Sequence, residues 1–136
     1  VSKIINIYRE AAGNNADALV FLVAFHAYAH MVDDLIDEEF SPERLMECLA
    51  HANAMYSTPF WLANSARLSG VVDCIANTFA DSVAWEGEHD WKGRVSDVIR
   101  QCGNDMVTQV ASIVGGWRHQ RAVSLRLREA AYQNQH

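Results

Sequence analysis

Residues able to do chemistry gather on three stretches of this chain. The first is Asp33-Asp34-Leu35-Ile36-Asp37, a DDxxD pattern. On a helix, its first and last carboxylates lie one turn apart on one face. Hard oxygen ligands at that spacing suit Mg²⁺, which keeps several waters and bridges to substrate phosphates. Asp33, Asp34 and Asp37 are therefore candidate Mg²⁺ ligands. One and two turns upstream, His26 and His30 stand at i and i+4, a spacing that can hold a transition metal together with a carboxylate. The same spacing also serves hydrogen-bonded core histidines.

These residues belong to polar stripes on otherwise apolar helices. At ~100° per residue, His26, His30, Asp33 and Asp37 fall within roughly a 60° arc, with Asp34 at its edge. The other directions carry Phe21, Phe25, Tyr28, Met31, Val32, Leu35 and Ile36. A helix apolar nearly all round is expected to be central, so its polar stripe must meet polar groups, water or an ion. Further along, Asp97, Gln101, Asn104, Asp105, Thr108 and Ser112 share roughly a 100° arc. Asp73, Asn77 and Asp81 make a shorter third stripe. The simplest arrangement brings all three stripes to one cleft, although a solvated helix end or plain interhelical hydrogen bonding would give the same pattern.

Other polar groups are less pointed. Glu86, Glu88 and Asp90 make an acidic loop with Trp85 and His89. Gly115-Gly116 reads as a helix stop, because no GxxxxGK[ST] motif surrounds it. The one basic cluster, Arg118, His119, Arg121, Arg126 and Arg128, lies near the C-terminus. Arg118 and Arg121 are its candidate anion ligands.

The elements that must position these groups are helices throughout. Ser41-Pro42-Glu43 and Thr58-Pro59 each read as N-cap followed by proline in the first turn. Periodicity predicts helices over residues 2–12, 16–38, 42–55, 59–68, 71–86, 91–114 and 125–132. Breaks are expected at Gly13-Asn14-Asn15, Ser69-Gly70, 87–90 and Gly115-Gly116. No stretch alternates as a β-hairpin does. The expected fold is all-α: a compact bundle of about five to six helices with two long central ones, forming a single domain over residues 1–136.

Bulk properties narrow the function classes. The 136 residues carry 17 acidic and 11 basic side chains, for a formal charge of −6. That balance argues against duplex nucleic acid, whose binding is driven by phosphate neutralisation. Cys48, Cys74 and Cys102 are widely spaced and odd in number. They suggest reduced thiols in the cytoplasm rather than a zinc site or disulfide framework. The longest apolar run, from Ala18 to Ala29, is interrupted by His26 and reads as too short for a membrane span. No secretory leader is expected. Four Trp, five Phe and four Tyr give much apolar surface to cover, so a homo-oligomer is expected, with Trp61, Trp117 and Tyr132 at its interface.

The segment from Tyr28 to Glu38, YAHMVDDLIDE, resembles the first aspartate-rich motif of class I isoprenoid synthases, particularly the squalene/phytoene synthase branch. Asn104, Thr108 and Ser112 resemble the second metal motif of terpene cyclases, with Ser112 in the place of that motif's Glu. The resemblance implies Asp33 and Asp37 as Mg²⁺ ligands to a diphosphate, and Asn104 and Thr108 on a further Mg²⁺. It covers about twenty residues in a chain less than half the usual length of those enzymes. A fainter resemblance, through FADSVAWE at 79–86 and Gly103-Asn104-Asp105, is to small orphan proteins of phages and integron gene cassettes.

Two functions follow as expectations. One is a Mg²⁺-dependent site for a phosphate- or diphosphate-containing small molecule, with nucleotide hydrolysis as a possible reaction. The other is a non-enzymatic, oligomeric helical interaction protein of a mobile element, whose polar stripes specify helix register.

Overall fold

In a computed structural model, which describes residues 2–133, every regular element is helical. Six α-helices follow in order: α1 (Ser2–Ala12), α2 (Ala16–Asp37), α3 (Pro42–Tyr56), α4 (Pro59–Ala84), α5 (Trp91–Ile99) and α6 (Asn104–Gln133). A 3-10 turn, Arg100–Gly103, joins the last two.

Local chemistry explains most of the boundaries. The side chains of Asn15, Ser41, Thr58 and Asp90 accept hydrogen bonds from the first-turn amides of Ala18, Arg44, Trp61 and Lys92. Each cap satisfies an amide that the helix cannot. Pro42 and Pro59 occupy the first helical positions, where a missing N–H costs nothing. Gly13 ends α1 at a φ of 58°, donating to the carbonyls of Arg9 and Glu10.

Three expected boundaries are corrected. The break at Ser69-Gly70 does not occur, and α4 runs straight through it. A lone helical glycine costs only about 1 kcal/mol, while Leu68 is fully buried and Val71 and Val72 pack on the core. The expected helix over 91–114 is divided by the 3-10 turn. At Gly116 the chain kinks (φ 81°, ψ −172°) but resumes as helix at once, rather than after a loop.

The core is built from Ile7, Tyr8 and Ala11 of α1, Phe21, Leu22 and Phe25 of α2, Phe60 and Leu68 of α4, and Met106, Val107, Val110, Val123 and Leu127 of α6. Met55 of α3 closes it. The first half of α6 is thus central, as expected of that segment. The second long helix differs: only Ala18, Phe21, Leu22 and Phe25 of α2 are buried, and its C-terminal half is partly open. Among the described residues α2 is also the one helix long and apolar enough to cross a bilayer by length and composition, although its last turn carries Asp33, Asp34 and Asp37.

Phe21 lies 5.8 Å from Phe60, ring to ring, near the starts of α2 and α4. The ends of the same helices meet at Arg100, as described below. The two helices therefore run side by side in the same direction, with α3 as the return between them. They touch at the aromatic end and part along their C-terminal halves.

Candidate functional site: an apolar cavity closed by an ion cluster

The gap between the C-terminal halves of α2 and α4 is a cavity of ≈ 690 Å³. Phe25, Tyr28, Ala29, Val32 and Ile36 line it from α2, and Val72, Ile75, Ala76, Phe79, Ala80 and Val83 from α4. Met55 and the 3-10 turn complete the wall. Its size falls within the ~300–1,000 Å³ typical of small-molecule sites, which are mostly apolar with a few placed polar groups.

The polar groups converge on Arg100. Its Nη2 donates to Oδ1 of Asp33 at 2.9 Å and to Oδ1 of Asp37 at 2.7 Å. Its Nη1 lies 3.1 Å from Oε1 of Glu86. The guanidinium also rests on the ring of Phe79, with Cζ 4.8 Å from the centroid, a cation–π contact. Partial burial works against the charge on Arg100, but the hydrogen bonds and charges of Asp33 and Asp37 together outweigh it, and its pKa is raised. Three acids thus face one cation, and the DDxxD carboxylates engage a side chain of the chain itself.

His26 and His30 line the same cavity, with ring centroids 6.2 Å apart. His26 Nδ1 is hydrogen-bonded to the buried Tyr8 hydroxyl at 3.0 Å, which ties α2 to α1. Burial, then the charge of His30, lowers the pKa of His26. Burial pushes Tyr8 up to about 12. This histidine is therefore neutral and hydrogen-bonded near pH 7.

The three stripes do not meet in one cleft. Asn104, Asp105 and Thr108 line a separate crevice of ≈ 250 Å³ with Thr78, Ser124 and Arg128. The two spaces adjoin only through Gln101 and Cys102, which line both. The cause is the 3-10 turn. Four residues at 3.0 rather than 3.6 per turn advance the phase by about 80°, so Asp97 and Asn104 no longer share a face. Asp97 is exposed, and Ser112 lines neither space. Asp73, Asn77 and Asp81 are exposed on the outer side of α4 and also line neither. Asp34 is partly exposed beside the cluster without joining it.

Arg118 and Arg121 are exposed in the second half of α6, and Arg121 lies 5.9 Å from the Trp117 ring. Arg126 pairs with Glu10 instead. Trp61, expected at an interface, packs inward on Phe21 and Tyr56, whereas Trp117 is exposed. Tyr132 donates to the Val98 carbonyl. Among the described residues, no group of three or more His, Cys, Asp or Glu side chains is placed to hold a metal ion.

Sequence reasoning missed Arg100 and Phe79. A lone arginine between Val98-Ile99 and Cys102 was the available signal, since an isolated charge in an apolar run needs a partner. Comparison with protein families, curated proteins and solved structures gave no match.

Proposed function

We propose that this protein binds a small molecule with an apolar body, held in the cavity between α2 and α4, with its polar end at the Arg100 cluster. One observation carries this reading: a ≈ 690 Å³ apolar space with a convergent set of charged groups at one end. Apolar walls of this extent favour an apolar body that would remove them from water. The uncharged fluorophore N-phenyl-1-naphthylamine tests it. Saturable, one-to-one fluorescence enhancement is expected, and Ala80→Phe, which places a ring in the cavity from an exposed helix position, should abolish it. Enhancement unchanged by Ala80→Phe would refute the site.

A second reading retains Mg²⁺ and a phosphate-type head. It is favoured by Asp33 and Asp37, one turn apart, the first lining the cavity and both converging on Arg100. In it the two aspartates would hold the metal and Arg100 would turn to the phosphate oxygens. It expects Mg²⁺ with pyrophosphate to raise the melting temperature of the parent and not of Asp33→Asn.

A further inference from the structure

We propose that the ligand's polar end is a cation, an amine or guanidine, seated on the oxygens of Asp33 and Asp37 that Arg100 leaves free. The inference rests on the preceding reading that the α2–α4 cavity is a binding site, and it names the chemistry of the occupant. The charge count is the first argument. Asp33, Asp37 and Glu86 bring three negative charges against the single charge of Arg100. The ion cluster at this end of the cavity therefore keeps a net charge of −2, and an anionic head would be repelled unless a metal came with it.

Geometry is the second argument. The guanidinium uses Oδ1 of Asp33, Oδ1 of Asp37 and Oε1 of Glu86. One further oxygen of each carboxylate remains to accept from a second donor. Both aspartate side chains are 42 % exposed, whereas Arg100 is 18 % exposed. The acids are thus reachable while their internal partner is tucked beneath.

The walls agree. Phe25, Tyr28 and Phe79 present aromatic rings to the cavity, and aromatic faces attract cations. Phe79 already carries one guanidinium on its face. A molecule whose apolar body fills the space while its ammonium reaches Asp33 and Asp37 satisfies both ends of the site.

An isosteric set tests this: 4-phenylbutylamine, 4-phenylbutanol and 4-phenylbutyric acid, titrated calorimetrically into the full chain. The amine should bind about tenfold tighter than the alcohol, as one charge-assisted hydrogen bond gives, and the acid weakest. Asp33→Asn with Asp37→Asn should abolish the amine's advantage over the alcohol. Glu86→Gln, farther from the folded core, should lower the amine preference without loss of fold, as judged by circular dichroism. Alcohol binding with no preference for the amine would overturn the cationic head but leave the cavity reading intact. Binding of none of the three would remove both. Tightest binding by the acid in the presence of Mg²⁺ would overturn the cation in favour of a metal-bridged anion.

Discussion

Replacing Arg100 by methionine removes the guanidinium and keeps much of the aliphatic stem. The cost can be worked from exposure. Breaking a fully buried ion pair costs about 3–5 kcal/mol, whereas an exposed pair contributes about 0.2–1 kcal/mol. Here the acids are half-exposed, at 42 %, 42 % and 52 %, and only Arg100 is largely covered. Solvent screening places each pair near the exposed limit, about 0.5 kcal/mol. The contact with Phe79 adds about 0.5–1 kcal/mol. Arg100→Met should therefore destabilise the protein by about 2 kcal/mol. For a domain of this size that is a fall of roughly 6–10 °C in Tm. In 1 M salt the Debye length shrinks to about 3 Å, so the gap between variant and parent should narrow. A double-mutant cycle with Asp37→Asn should show a coupling of about 0.5–1 kcal/mol, whereas Asp81→Asn, exposed and away from the cluster, should simply add. Arg100→Met matching or exceeding the parent in stability at both salt concentrations would refute the reasoning. It would mean that desolvating the guanidinium costs as much as its partners return.

Two further outcomes follow from single residues. Burial holds Tyr8 in its neutral form up to about pH 12, above its ordinary value of 10, so its contribution is complete below pH 10 and is lost as pH rises toward 12. Between pH 9 and 11.5 the parent should lose stability faster than Tyr8→Phe, the difference reaching about 2 kcal/mol at the upper limit; equal slopes in urea titrations would contradict this. Gly116→Ala meets no atom within 4 Å but enforces a backbone region that only glycine occupies readily, so it should cost about 1–3 kcal/mol. Gly70→Ala, in open space in the middle of α4, should instead stabilise by about 0.5–1 kcal/mol, and a destabilised Gly70→Ala would argue against a continuous α4.

The helices were legible because their ends are written in local chemistry. Asn15, Ser41-Pro42 and Thr58-Pro59 fix three starts through hydrogen bonds made within one turn, and such bonds do not depend on tertiary context. The misread boundaries are those where packing decides. Ser69-Gly70 looks like a break, yet Leu68, Val71 and Val72 are all drawn against the core, and burial outweighs the propensity cost. The 3-10 turn at Arg100–Gly103 has no sequence mark of its own. The Cys102 thiol points to the Ile75 carbonyl of α4 while Arg100 reaches the acids, so tightening the turn serves two long-range contacts.

That same turn governs how much of the site could be read. The aspartates at 33 and 37 do share a face and meet one guanidinium, with Asp33 lining the cavity and Asp37 beside it, because both lie on one uninterrupted helix. A constant period puts residues 97, 104 and 108 on one face, and a local change of about 80° at the turn separates Asp97 from Asn104 and Thr108, which stay together on α6. Periodicity within an element survives folding, whereas phase carried across an unmarked junction does not. Nor can a sequence state which cation a carboxylate pair will meet. DDxxD permits a metal, and at this site Arg100, 63 residues beyond Asp37, holds both acids. The choice depends on whether the bundle brings a covered guanidinium within 3 Å, and Phe79, offering it a ring face from α4, is one of the contacts that hold it there.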